Sequence, residues 1–231
     1  MRFGLFVAAL SLCAATSAWA QSTDQSAAPA APAAGAQSSD QAQRFQGYVT
    51  NDGYKQMIGQ LAVMGDSISF PDCKNRKPVS RTDMIIFVPP VFGDALHPTS
   101  GLWKDQIKMD HCGGTGYQNV LINAQDNGQP PRVALMMPGL TSANPWLQDL
   151  IMQDFLAALS TKSKCSDQTK ILPLDTKMDK ETKPRQLNAQ GMMVAGEWKE
   201  IWTFRACDKE IKATIELQAD GKGGMSHKVK L

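Results

Sequence analysis

The sequence carries almost no excess of charge of one sign. Its 24 Lys and Arg face 22 Asp and Glu, a formal net charge of +2 over 231 residues. That balance excludes a surface built to hold nucleic acid or an anionic membrane electrostatically. Histidine is scarce: His97, His111 and His227 stand alone, with no paired spacing of the kind a zinc site uses. There is no G-x-S-x-G elbow, H-E-x-x-H, S-x-x-K, Walker loop or G-x-G-x-x-G, which weighs against common hydrolases, zinc peptidases and nucleotide users. No apolar run reaches the roughly 20 residues that a helical membrane span requires.

What is present is an ordinary globular composition, 42% hydrophobic and 20% charged, after an unusual beginning. Arg2, the apolar run Phe3 to Leu12 and the ending Ala18-Trp19-Ala20 form the pattern of a cleaved secretory signal peptide over residues 1–20. Lipidation at Cys13 is disfavoured by the bulky Leu12 before it. Residues 21–43 hold no aliphatic side chain larger than alanine and no aromatic, so they are expected to form a disordered Ala/Pro/Gln/Ser tether. The folded domain is expected over 44–231. Removal of the leader takes Cys13 away and leaves four cysteines bound for an oxidising compartment.

One motif occurs twice. Gly101-Leu102-Trp103-Lys104-Asp105 precedes Cys112, and Gly196-Glu197-Trp198-Lys199-Glu200 precedes Cys207, with six residues between acid and cysteine each time. The offset of 95 continues into Val120, Ile122, Ala124 and Ile215, Leu217, Ala219. Upstream, Asp52-Gly53-Tyr54 matches Asn144-Pro145-Trp146, and Cys73 matches Cys165, at an offset of 92. Three residues are therefore expected to be inserted after Cys165. The repeats span about 51–126 and 143–222.

Each repeat reads as helix, cysteine, irregular loop, strand, cysteine-bearing turn, strand. Leu147, Leu150, Ile151, Phe155 and Leu159 trace one helical stripe, and Tyr54, Ile58, Leu61 and Ala62 a weaker one that Gly65 is expected to stop. Asp52 and Asn144 are expected N-caps, with Pro145 in the first helical position. Trp198, Trp202, Phe204 and Ala206 alternate along a strand face, as do Trp103, Ile107, Met109 and His111; Met84–Val88 and Val133–Met137 are further strands. Lys177–Gln190 reads as an exposed loop. The expected fold is α+β, an antiparallel sheet with two helices built from an internal duplication, in one shared domain. Four cysteines allow three pairings; the duplication favours Cys73–Cys112 and Cys165–Cys207.

Chemistry is thin. His111-Cys112-Gly113-Gly114-Thr115-Gly116 admits a cysteine nucleophile beside backbone donors, but a hairpin turn with an oxidised cysteine serves both repeats and is preferred. Met109, His111 and Cys112 are soft ligands that suit copper, whereas Met136-Met137 and Met192-Met193 read as core filling. Trp103 and Trp198 are expected as core plugs beneath each helix rather than stacking platforms. Asp105 and Glu200, each following a lysine, read as a solvated face or a cross-strand ion pair. Catalytic, metal and cofactor residues are accordingly expected to be none. The function expected is a periplasmic or secreted, non-enzymatic binding or structural protein of the cell envelope. Its partner would be a protein, a peptide or a small apolar ligand. The alternatives are an exported enzyme using His111 or His97 with a carboxylate near an inter-repeat cleft, and a metal-handling protein.

Overall fold

The computed structural model describes residues 39–231 except 163, 164, 166, 189–192, 222 and 223; the leader, Cys13 and tether residues 21–38 lie outside the described residues. The fold is α+β, and the described residues form two four-stranded antiparallel sheets, three helices and two disulfides. The described residues form one compact unit.

The first half opens with α1 (Ser39–Thr50), then α2 (Asp52–Ser69), then a meander of β1 (Arg76–Val91), β2 (Ser100–His111), β3 (Gly114–Asn123) and β4 (Arg132–Leu135). The second half has α3 (Pro145–Lys162) and a meander of β5 (Ile171–Leu187), β6 (Met193–Ala206), β7 (Lys209–Ala219) and β8 (Met225–Lys230). The two meanders are separate sheets rather than one shared sheet, and α1 is a third helix with no counterpart in the second half. It begins inside the stretch read as tether, because Gln41 is bound to the backbone of Phe92 on both its amide atoms and Phe45 packs edge-on against Trp103 at 5.2 Å.

Helices α2 and α3 are both 18 residues long, and their buried positions lie 93 apart rather than the 92 read from sequence, so Tyr54 corresponds to Leu147 and not to the exposed Trp146; Ile58 and Ile151, Ala62 and Phe155, and Asp66 and Leu159 follow. Asn144 caps α3 by accepting from the Leu147 amide at 2.9 Å, with Pro145 at the first helical position. The α2 cap is Asn51, one residue before the expected Asp52, and it accepts from Gly53 at 2.8 Å. Gly65 does not end α2. It sits in the helix interior because a Cβ there would come within 2.6 Å of the Gln118 amide oxygen.

The disulfides join Cys73 to Cys112 and Cys165 to Cys207, closing loops of 39 and 42 residues. Each would contribute about 3–4 kcal/mol in the chain-entropy model. Where three inserted residues were expected after Cys165, a single 3-10 turn, Gln168–Lys170, precedes β5. The stretch Lys177–Gln190, expected as a loop, is strand over Lys177–Leu187, and its residues 189 and 190 lie outside the described residues. It belongs to β5, an edge strand whose five register shifts, exposed charges and Pro184 are tolerated because, among the described residues, no strand pairs with its outer side.

The repeated motif has a physical reading residue by residue. Gly101 and Gly196 have φ of +134° and +122°, and a Cβ would strike the neighbouring strand at Pro90 or Arg185 within 2.7–2.8 Å. Trp103 and Trp198 are fully buried beneath the helices. Cys112 and Cys207 take the first position of two-residue hairpin turns with positive φ, which brings their sulfurs back toward the segment after the helix.

Candidate functional site

The acid of the motif is not solvated, contrary to the expectation from sequence. Asp105 and Glu200 share the core face with their tryptophans, because residues two apart on a strand point the same way. A buried indole N–H needs an acceptor. Glu200 supplies one to Trp198 at 3.0 Å and to Trp202 at 2.9 Å, and also accepts from the Ser142 amide at 2.8 Å. Asp105 is a methylene shorter, and Tyr54 bridges the gap: Trp103 donates to the Tyr54 hydroxyl at 2.8 Å, which donates to Asp105 at 2.5 Å. The other oxygen of Asp105 makes no hydrogen bond; Arg81 stands 3.7 Å from it. Burial pushes the Asp105 carboxyl above its ordinary range, and burial and the Asp105 charge push the Tyr54 phenol far above its own.

A second polar cluster lies at the opposite end of β2. The fully buried Asp66 meets His111 Nδ1 at 2.6 Å and accepts from Arg76 Nε at 3.2 Å. Arg76 also donates to the Phe70 carbonyl, and the Phe70 ring lies 4.4 Å from the imidazole. In the second half the three equivalent positions are Leu159, Ala206 and Ile171, all packed in its apolar core. Burial raises the carboxyl of Asp175 on β5, while a hydrogen bond from the Thr176 backbone and the Lys177 charge oppose that rise. The cluster orients an imidazole, but Cys112 beside it is in the disulfide and supplies no thiolate.

The soft-ligand set comes apart along the strand. Met109 is buried among the core side chains, His111 is held by Asp66 and Cys112 is oxidised. His97 meets the Tyr48 hydroxyl at 3.2 Å, and His227 pairs with Asp154 at the surface.

The two halves meet along a polar seam. Gly139, at φ +93°, lies so close to β5 that a Cβ would be 2.3 Å from both the nitrogen and oxygen of Thr176. Its carbonyl accepts from Gln106 and Asn119, and its amide donates to the Tyr117 carbonyl at 2.8 Å. Thr176 then receives the Leu140 and Thr141 amides and donates to the Pro138 carbonyl at 2.6 Å. This seam covers the back of β2, so Gln106 and Lys104 are buried although they face away from the helices.

Beside the seam opens a cleft of about 620 Å³ lined from both halves: Met84, Phe87, Lys104 and Gln106 from the first, Glu181, Arg185 and Val194 from the second, and Leu140–Asn144 between them. Arg185 is tied to Glu181 at 2.6 Å and to the Ser142 hydroxyl at 2.9 Å. Trp146, more than half exposed at the start of α3, meets Phe87 edge-on at 6.1 Å across the halves. The sequence motif contained Lys104 without marking it as different from Lys199; Asp66, Arg76 and the cleft residues of β5 were not legible as a site. Comparing the two repeats position by position, for pairs where one is charged and the other apolar, was the signal that would have found the first two. Among the described residues no helix is long and apolar enough to cross a membrane. No protein-family model, curated protein or solved structure matches the chain.

Proposed function

We propose that the protein is an exported, non-enzymatic binding protein of the cell envelope, built by internal duplication, that holds its ligand in the cleft between its halves. The observation that carries this reading is the 620 Å³ cleft itself, lined by side chains of both halves and fixed by a hydrogen-bonded seam. Its volume falls in the small-molecule range of about 300–1,000 Å³. Two disulfides support an oxidising destination, in keeping with the leader-like N-terminus.

Native mass spectrometry of protein exported by its own host, without reductant, tests the reading. The expected species is Gln21–Leu231 less four hydrogens, carrying a retained ligand that Leu140→Arg, at the cleft mouth, abolishes. An unprocessed chain, free thiols, or a bound mass indifferent to Leu140→Arg counts against it. One observation favours the enzymatic alternative: Asp66 orients His111 as it would a general base. That reading requires His111→Ala to abolish an activity, whereas the binding reading leaves ligand retention in the cleft intact, since His111 does not line it.

A further inference from the structure

The two halves differ at a matched pair of positions outside the ionic cluster. On β3, Gln118 shares the helix-facing side with the buried Val120 and Ile122. It lies across from Ile107, so its equivalent is Ala213, which lies across from Trp202 in the second half's apolar core. The helix residue over the Gln118 amide is Gly65, and its equivalent on α3 is Ala158. The second half thus has two alanines where the first has a glutamine and the glycine that makes room for it.

Gln118 is only 3% exposed, and among the described residues nothing hydrogen-bonds to its side-chain amide. Asp105 Oδ1 is the one sealed side-chain atom without a partner among those residues, so the Gln118 amide is not sealed. It opens on a groove of about 390 Å³ between the halves. Ile68 of α2, Leu135 of β4, Met136, Pro138, Met152 of α3 and Pro173 of β5 wall this groove. Its other polar side chains are engaged or peripheral. Ser69 donates to the Pro173 carbonyl at 2.7 Å, Gln148 holds the Met137 amide and the Ala143 carbonyl, and Asp149 is exposed. Among the described residues no cation lines the groove. It is separate from the cleft, since the connecting stretch contributes Met136–Pro138 to the groove and Leu140–Asn144 to the cleft.

A primary amide offers a donor and an acceptor side by side. An extended peptide residue presents its own N–H and C=O along one edge, the pairing that joins antiparallel strands. Methionine walls adapt to apolar side chains of varied shape. We propose that the groove binds a short extended stretch of polypeptide with apolar side chains, and that Gln118 recognises it by pairing with the N–H and C=O of one residue. This is a second site, independent of the ligand held in the cleft. Backbone pairing supplies the register and the apolar walls select the side chains.

The minimal probe is N-acetyl-leucine methylamide, with two analogues in which one or the other peptide N–H is replaced by an ester oxygen. Binding is followed by titration calorimetry and by the methyl resonances of Met136 and Met152. The ester that removes the leucine's own N–H is expected to bind at least about fivefold more weakly, whereas the methyl ester, which keeps that N–H and C=O, stays close to the parent. Gln118→Met and Gln118→Ala, the second of which places the second half's own residue there, are expected to erase the difference. Leu140→Arg, at the mouth of the cleft, is expected to leave it unchanged, so that loss of the cleft ligand and loss of the groove peptide are distinguishable. Three equal affinities mean that the groove takes any apolar body, and a difference that survives both Gln118 variants places recognition elsewhere; either overturns the proposal. Probes that leave both methionine methyls unmoved overturn it too, as do methyl shifts that follow protein concentration alone, which assign the groove to a second copy of the chain. The comparison of analogues on the unsubstituted protein decides the matter even if a variant fails to fold.

Discussion

Asp66, Arg76 and His111 are a buried ionic cluster where the other half has Leu159, Ile171 and Ala206, and the protein therefore contains its own replacement set. Gly116 belongs to the same exchange: a Cβ there would lie 2.8 Å from the imidazole, and its equivalent is Ile211, packed on the second core. Asp66→Leu alone strands His111 and Arg76 beside a leucine. Breaking one partner out of a buried pair costs about 3–5 kcal/mol, which for a domain of this size lowers Tm by about 10 °C. Combining Asp66→Leu with Arg76→Ile, His111→Ala and Gly116→Ile exchanges a paired cluster for apolar packing of the second half's kind. Such exchanges run from neutral to about 1–4 kcal/mol stabilising. Urea unfolding followed by tryptophan fluorescence, disulfides intact, measures both variants. The reasoning is refuted if Asp66→Leu costs less than about 1 kcal/mol, or if the fourfold variant is no more stable than the single one.

Further outcomes follow from the same geometry. Gly139→Ala drives a Cβ into the Thr176 backbone and should cost about 3 kcal/mol or more, whereas Gly47→Ala, in open space on α1, should gain about 0.5–1 kcal/mol; thermal melts of the pair decide it. Burial raises the Asp105 carboxyl, so the folded state holds its proton more tightly than the unfolded chain and the ionised form costs stability. That cost is present at neutral pH and is relieved as pH falls through the raised value. Asp105→Asn keeps an oxygen for Tyr54 and should flatten the stability profile between that raised value and the unfolded 3.8; a parallel slope in both proteins contradicts it. Replacing both cysteines of either disulfide by alanine should cost about 3–4 kcal/mol in denaturant unfolding.

The scaffold was legible because its signals are local and doubled. The helix stripes, the two-residue turns at Cys112 and Cys207 and the cysteine pairing each had a second copy against which to be read. What stayed hidden depended on tertiary context. Lys177–Leu187 has the polarity of a loop, and only pairing with β6 makes it an edge strand. Asp105 and Glu200 looked solvated because an acid next to a lysine normally is; the competing demand, an acceptor for a buried indole two residues away, appears only once the tryptophan is known to be buried. Residues 39–43 carry little apolar surface of their own, and α1 is held there by Gln41 reaching Phe92. The cleft was out of reach for a similar reason. Lys104 differs from Lys199 not in its own strand but in having Leu121 rather than Glu216 across from it and in what the second half lays over it.

The most direct test of that contrast is to titrate the two lysines separately in protein carrying ¹³C- and ¹⁵N-labelled lysine, following the side-chain resonances by NMR. Burial holds the Lys104 ammonium below the usual lysine value of 10.5, and the Glu216 partner holds Lys199 above it. The account predicts two separated titrations, Lys104 losing its proton first. Two lysines that titrate together near 10.5 would contradict it, since Lys104 would then not be desolvated beneath the second half.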